Sequence, residues 1–522
     1  MNTTEFLTIT SAICPDRVAI AFEGKKFTFA ELNERANKLA DALAKLGIQK
    51  GDRLAILQVN CNQYIEAYFA TAKLGGIYVP LNFRAKQDEL THMLSNAEAS
   101  ILFVGERYFD LANSMRPNLP SIKHYISIDG KTEGMLSYQE LLASGSPEEK
   151  IFVEINDDDP TVLMYTAGTT GLPKGVPQVH NSYALYLLQN VNPPDPEVTE
   201  ANLITMPLYH VAGMQAMLSA IYGGRTIALM RQFETKEWFE TAQREKVTRA
   251  MLVPTMLKRI VDDPDFGKYD LSNLRVITYG AAACPQEVLR KTIELFPGRA
   301  LINAFGGTET ASTIAMLRAE DQIITGKETE EEKEKKLKRL ATSIGIPLED
   351  VEIQIRDEEG RVLPRGETGE LVVRGGRVMK GYWKDEEKTK KAFTSDGWYR
   401  TGDKGYIDEE GYIYLSGRAD DLIVRGGENI SPEEVENVLY THPKIEEAAV
   451  IGVPHPDWGS EPRAVVVLKK GETATPEEII EYCRERLAGF KRPRSVVFVN
   501  ELPKTSTGKV LRRTLRDQYG KA

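Results

Sequence analysis

The 522-residue chain is poor in cysteine, has no long apolar run and carries no excess of positive charge, and each shortfall removes a class of function. Cys14, Cys61, Cys284 and Cys483 lie far apart without CxxC spacing, which argues against a disulfide framework or a cysteine zinc site and suits reduced thiols filling a core. No stretch approaches the roughly 18–20 apolar residues that a bilayer demands, and the start MNTTEFLT lacks the pattern of a secretory signal. A cytoplasmic protein with no transmembrane segment is therefore expected. With 66 Lys and Arg against 76 Asp and Glu the net charge is −10, so no global field draws nucleic acid and any polyanion site must be local. No Gly-x-Ser-x-Gly elbow is present, and the six histidines form no HExxH or clustered spacing, which leaves hydrolase-nucleophile and zinc chemistry unsupported. No internal repeat of fixed period is apparent.

What is present is an ordinary globular composition, 42% hydrophobic and 27% charged, in a chain long enough for more than one domain. Thr28-Phe29-Ala30-Glu31 is a capping box, and Leu32, Ala36, Leu39, Leu43 and Leu46 follow at helical spacing until Gly47. A strand at Leu54–Leu57, a helical pattern near Gln63–Lys73 and the apolar run after Gly75-Gly76 alternate as in layered α/β folds. From about Ile344 the pattern becomes β-rich: Val351, Ile353 and Ile355 alternate with polar residues, and Glu370–Val373 and Tyr412–Leu415 read as further strands. After Asp420 a short α/β unit follows, with Ser431-Pro432-Glu433-Glu434 and Thr475-Pro476-Glu477-Glu478 opening helices. The charged run from Glu328 to Arg339 predicts a solvated helix or loop with no assigned role.

Thr161–Met164 is strand-like and ends in Tyr165-Thr166-Ala167-Gly168-Thr169-Thr170-Gly171-Leu172-Pro173-Lys174-Gly175. Three glycines, three hydroxyls and one lysine in the ten residues from Thr166 supply backbone N–H groups, side-chain donors and one charge, as a phosphate chain requires. It is not a Walker A loop, since Lys174 is followed by Gly175 and not by Ser or Thr. Asn303-Ala304-Phe305-Gly306-Gly307-Thr308-Glu309-Thr310 sets a carboxylate beside Gly and Thr, a donor set suited to Mg²⁺. Asp403 in Tyr399-Arg400-Thr401-Gly402-Asp403, and Arg418 in Gly417-Arg418-Ala419-Asp420-Asp421, suit sugar hydroxyls. Leu502-Pro503-Lys504-Thr505-Ser506-Thr507-Gly508-Lys509 places a second lysine in a Gly/Ser/Thr loop. Taken singly, each admits a plainer reading as a surface loop, a capping turn or a basic tail.

Together, and in this order, YTAGTTGLPKG, PLYHVAG, NAFGGTET, YRTGDKG, GRADDLIVRGGENI and LPKTSTGK resemble the motifs of the adenylate-forming superfamily, in particular its acyl-CoA synthetase branch. The resemblance implies a large N-terminal AMP-binding domain (1–419), layered α/β plus a β-rich subdomain, and a small hinged α/β C-terminal domain (420–522). It implies that Thr166, Thr169, Thr170 and Lys174 handle ATP phosphates, that Glu309 with Thr166 holds Mg²⁺, and that Thr308 touches phosphate. Gly280-Ala281-Ala282 and Asn303-Ala304-Phe305 would flank adenine, Asp403 and Arg418 would hold ribose, Asp420 would be the hinge, and Lys509 would reach the α-phosphate. Catalysis would fall to Lys509, Glu309 and Thr166; Phe305 departs from the Tyr that many members carry, which keeps stacking and loses a hydroxyl contact.

The chemistry implied is ATP-dependent conversion of a carboxylic acid to acyl-AMP and then transfer to CoA, with ATP and CoA as co-substrates. His210, Gly306, Gly307, Gly426 and Gly427 would border the acyl and thiol tunnels. Tyr209-His210-Val211 offers no Asp to pair with an α-ammonium, which favours a fatty or aromatic acid. Two other readings stay open: loading of a separate carrier protein, and a nucleotide-binding relative without catalysis. The acid itself, chain length, a homodimer and peripheral membrane association are also open.

Overall fold

The structure is a computed structural model that describes residues 1–166, 172–282, 284–317, 328–418, 421–425, 428–505 and 508–521. The capping box at Thr28 forms as expected. The Glu31 N–H donates to Thr28 Oγ1 (3.1 Å) and the Thr28 N–H to Glu31 Oε2 (2.8 Å), opening helix Phe29–Lys45. Leu32, Ala36, Leu39 and Leu43 line its buried stripe. The next helix, Asn62–Lys73, is buried on almost every side. Its polar members are paired: Glu66 accepts from Arg35 and Tyr138, and Lys73 meets Glu149, so charges enter the interior only with partners.

Two large sheets carry the N-terminal domain. The first is seven-stranded, and its edge pairs strand Pro160–Thr166 antiparallel with Lys174–Val179. The second has thirteen strands, with a parallel section that includes Arg249–Leu252, Val276–Gly280 and Ala300–Gly307. The β-rich stretch expected from Ile344 forms, and it is joined to the second sheet. Strand Ser343–Pro347 pairs with Ser312–Leu317 on one side and Ile413–Arg418 on the other, so its antiparallel strands continue the second sheet. Ile314, Ile344, Ile355, Leu371 and Ile413 share one core there.

The charged run forms helix Glu330–Thr342, capped by Thr329 and Glu332. It is more than a solvated element, because Leu337 and Leu340 enter the core beside Leu289 and Tyr279. The small C-terminal domain packs helices Pro432–Tyr440 and Pro476–Arg484 on a five-stranded sheet. Thr475 caps its helix through the Glu478 N–H (3.2 Å), whereas the Ser431 hydroxyl turns to Glu433 (2.9 Å) and makes no cap bond. All four cysteines are free and buried, and no helix among the described residues is long and apolar enough to cross a membrane.

Candidate active site

A groove of about 2360 Å³ runs between the large and small domains. Thr166, Lys174, Glu309, Asp403, Arg418 and Lys509 all line it, although they come from five distant parts of the chain. Thr166 ends one strand and Lys174 begins the next, and the two residues pair across the sheet edge. The two ends of the sequence's phosphate motif, Thr166 and Lys174, therefore stand side by side on the groove wall. Thr169 and Thr170 lie outside the described residues.

Strand Ala300–Gly307 delivers Asn303, Ala304, Phe305 and Gly307 to the same wall, opposite Gly280, Ala281 and Ala282. Gly306 lines the groove too, but close strand approach is what demands glycine there: a Cβ would stand 1.6 Å from the Ser312 carbonyl oxygen. Glu309 follows in a short 3₁₀ turn, Thr308–Thr310, held by the Gly307 N–H on Thr310 Oγ1 (3.0 Å). Ala311 (φ 47°) and Ser312 (φ 82°) come next, two consecutive left-handed residues without a glycine. Such backbone is costly and concentrates where a turn must hold a functional side chain in place. Thr308 does not line the groove; its carbonyl accepts from Gln178 Nε2 (2.9 Å).

Asp403 and Arg418 face each other on adjacent strands, with Arg418 Nε 3.8 Å from Asp403 Oδ1. Burial raises the Asp403 pKa, against the pull of Arg418 and Lys509. Lys509 experiences the converse. Burial first and the Arg418 charge second lower its pKa, and Asp403 offsets part of this. The Lys509 ammonium thus sits in a water-poor pocket beside another cation, a setting that favours an arriving anion.

Several contacts hold the Lys509 loop against the large domain. Gly508 has φ 79°, and a Cβ on it would lie 2.6 Å from Thr255 Oγ1 at the start of helix Pro254–Val261. On that helix Lys258 pairs with Glu446 of the small domain. Behind the loop, Arg512 is buried against Glu433 (2.9 Å) and Glu436 (2.8 Å), and Arg516 holds Asp421 (2.8 Å). Asp420, Gly426 and Gly427 lie outside the described residues. His210 is not among the groove-lining residues. It caps helix Val211–Tyr222, its Nδ1 accepting from the Ala212 N–H (3.3 Å), and burial lowers its pKa to about 4, so the ring is neutral at physiological pH.

Sequence reasoning missed two groups. Tyr382 and Tyr399 line the groove beside Glu309; Tyr399 opens the YRTGDKG motif without having been given a role, and nothing in its local sequence marks Tyr382. The second group lies outside the groove: Arg425 stacks on the half-exposed indole of Trp458 (4.9 Å), and Arg494 feels the charges of both Arg425 and Arg492. Burial, then repulsion from Arg425 and Arg492, lowers the Arg494 pKa. The Nε atoms of Arg425 and Arg492 are buried without a hydrogen-bond partner, and no carboxylate among the described residues forms an ion pair with the three guanidiniums. Basic residues around an aromatic plane were visible in DWGSEP and FKRPR, but not their meeting.

Residues 9–383 match the AMP-binding enzyme family, and residues 434–509 match the AMP-binding enzyme C-terminal domain. A long-chain-fatty-acid–CoA ligase, FadD13, of Mycobacterium tuberculosis is 33% identical, the match covering 95% of this chain and 93% of that protein. A feruloyl-CoA synthase of Amycolatopsis sp. is 34% identical over 97% of this chain and 96% of its own. Among solved structures, an anthranilate CoA ligase, AuaEII, in complex with anthranoyl-AMP superposes with a TM-score of 0.89 at 28% identity, covering 100% of this chain and 97% of that one.

Proposed function

Because the chain belongs to the AMP-binding enzyme family, we propose that the groove between its domains is where a fatty or aromatic acid is joined to AMP and then passed to CoA. The chain is an AMP-forming acid–CoA ligase. The observation that carries the site assignment is the convergence of Lys174, Glu309 and Lys509 on one groove.

A carboxylate resists thiols because it is anionic and would have to expel oxide. In the first step its oxygen attacks the α-phosphorus of ATP, a P–O bond forms, and the bond to the departing pyrophosphate breaks. That in-line displacement needs positioning and charge stabilisation more than covalent help. Lys174, Thr166, Thr169 and Thr170 would grip the β- and γ-phosphates. Lys509 would bridge the incoming carboxylate and the α-phosphate, and its buried ammonium is worth most where charge accumulates. Asp403 and Arg418 would hold the ribose, with Phe305 and the Gly280-Ala281-Ala282 segment against adenine.

Glu309 fits a Mg²⁺ ligand: its Oε2 takes no hydrogen bond among the described residues, and no cluster of three metal-binding side chains competes there. Mg²⁺ prefers this arrangement, one or two protein oxygens completed by phosphate and water. Held by Glu309 and Thr166, the ion would neutralise phosphate charge during displacement.

In the second step the CoA sulfur attacks the acyl carbon, the C–O bond to AMP breaks, and the thiol proton leaves. The two steps need different surroundings, which we assign to rotation of residues 420–522 about Asp420, bringing Gly426 and Gly427 toward the thiol. The Arg425–Trp458–Arg492–Arg494 face has the chemistry of a nucleotide polyphosphate site: unpaired guanidiniums beside an aromatic plane. It would receive the ADP part of CoA. For the acid, Val253, Met256 and Ile314 give the groove an apolar stretch of wall, as an alkyl chain or aryl ring requires.

Two experiments test this. Carboxylate-dependent exchange of labelled pyrophosphate into ATP should appear with fatty or aromatic acids, and CoA should then drive AMP release. Exchange with no acid of a broad panel would favour a non-catalytic protein, and AMP release only with a carrier protein would replace CoA as acceptor. Separately, Arg492→Glu combined with Arg494→Glu should raise the KM for CoA by about 10-fold or more while leaving pyrophosphate exchange unchanged, because each lost charge-assisted contact is worth roughly 1.5–3 kcal/mol. An unchanged KM for CoA would remove the face from the CoA site.

A further inference from the structure

Tyr382 stands between the two oppositely charged groups of the phosphate end of the groove. Its hydroxyl donates to Glu309 Oε1 (3.1 Å), and Lys174 Nζ lies 5.0 Å from its ring centroid. Tyr399, itself buried, pairs with the Tyr382 hydroxyl from behind.

The backbone around the ring is clamped. The Tyr382 N–H donates to Thr389 Oγ1 (2.9 Å), the Trp383 N–H to the Gly175 carbonyl (2.8 Å), and the Trp383 indole to the Asn96 carbonyl (3.1 Å). Gly175 directly follows Lys174, so the segment that carries Tyr382 is fastened to the hairpin that carries the lysine. Neither Lys174 nor Glu309 forms an ion pair among the described residues, although both face the same groove.

A lysine and a glutamate in one cleft would gain energy by pairing, and that pair would close the space a triphosphate and its metal need. The aromatic ring offers the cation a resting place that is not a carboxylate, and the phenol occupies one carboxylate oxygen and leaves the other bare. We propose that Tyr382 is a positioning residue that keeps Lys174 and Glu309 apart and fixes the Glu309 carboxylate with Oε2 presented to the metal of Mg·ATP. This rests on the assignment of Glu309 above and adds to it the residue that holds the carboxylate ready.

The test is calorimetric titration of the full chain with ATP over a series of Mg²⁺ concentrations, beside titration with AMP. AMP carries no β- or γ-phosphate and needs neither Lys174 nor the metal. In Tyr382→Phe, which keeps the ring and loses the donor, the Mg²⁺ concentration giving half of the maximal ATP affinity should rise by about 10-fold, the loss of one hydrogen bond to a charged group, with AMP affinity unchanged. Tyr382→Leu, which removes the ring as well, should also weaken ATP binding without Mg²⁺, as Lys174 and Glu309 close on each other. An unshifted Mg²⁺ dependence in Tyr382→Phe overturns the proposal, and so does an equal loss of AMP and ATP affinity, which marks a merely structural residue. Wild-type protein whose ATP affinity ignores Mg²⁺ would instead overturn the metal assignment of Glu309 on which the proposal stands.

Discussion

Replacing Lys509 by alanine is expected to slow acyl-AMP formation by about 10²–10³-fold, or about 2.7–4 kcal/mol, while thioester formation from supplied acyl-AMP falls far less. The size follows from its setting. The ammonium is buried and faces Arg418, so it is poorly solvated and gains most when anionic oxygens gather in front of it. The fold should not suffer: a buried cation beside another cation does not stabilise the empty protein, and the melting temperature of Lys509→Ala should match or exceed that of the wild type. The same setting predicts a pH effect. With its pKa lowered from 10.5, Lys509 loses its proton as pH rises through a value below that of an ordinary lysine, and adenylation kcat/KM should fall on the alkaline side accordingly. Lys509→Arg should move that limb to higher pH, whatever it costs in rate. Equal losses in both half-reactions of Lys509→Ala would remove the lysine from the adenylation step.

The second large effect should be the opposite one. Asp420→Pro restricts the backbone where the small domain is proposed to turn, and should spare pyrophosphate exchange while lowering CoA-dependent thioester formation by about 10²-fold, the usual cost of misplacing reacting groups by an ångström or so. The arrangement seen here explains the asymmetry. Lys509 already lines the groove, Gly508 is packed on Thr255, and Lys258 holds Glu446, so adenylation needs no rotation. The Arg425–Trp458–Arg492–Arg494 face, by contrast, lies outside the groove and, as the proposed CoA site, would have to be brought to it. Asp420→Pro that loses exchange and keeps thioester formation would place the hinge elsewhere.

Local signals were legible where the physics is local. The capping box at Thr28 and the alternation of Val351, Ile353 and Ile355 each specify one element from adjacent residues, and both formed. Helix Asn62–Lys73 was legible as a helix, but its burial on almost every side was not, because Glu66 and Lys73 enter the interior only with partners far off in sequence. Gly306 lines the groove as expected, but the second demand on it was not legible: the missing Cβ is what lets Ser312 approach.

The ordered motifs, through their glycines, hydroxyls and isolated lysines, determined by themselves that this chain handles phosphate and resembles adenylate-forming enzymes, because the inventory of donors and charges is written residue by residue. Only the tertiary structure decided that Lys174, Glu309 and Lys509 share one groove, that Tyr382 stands between the first two, and that Arg492 and Arg494 gather near the Arg425 that stacks on Trp458. Those are distances between segments far apart in the sequence, and side-chain packing and strand register set them; no run of neighbouring residues encodes them.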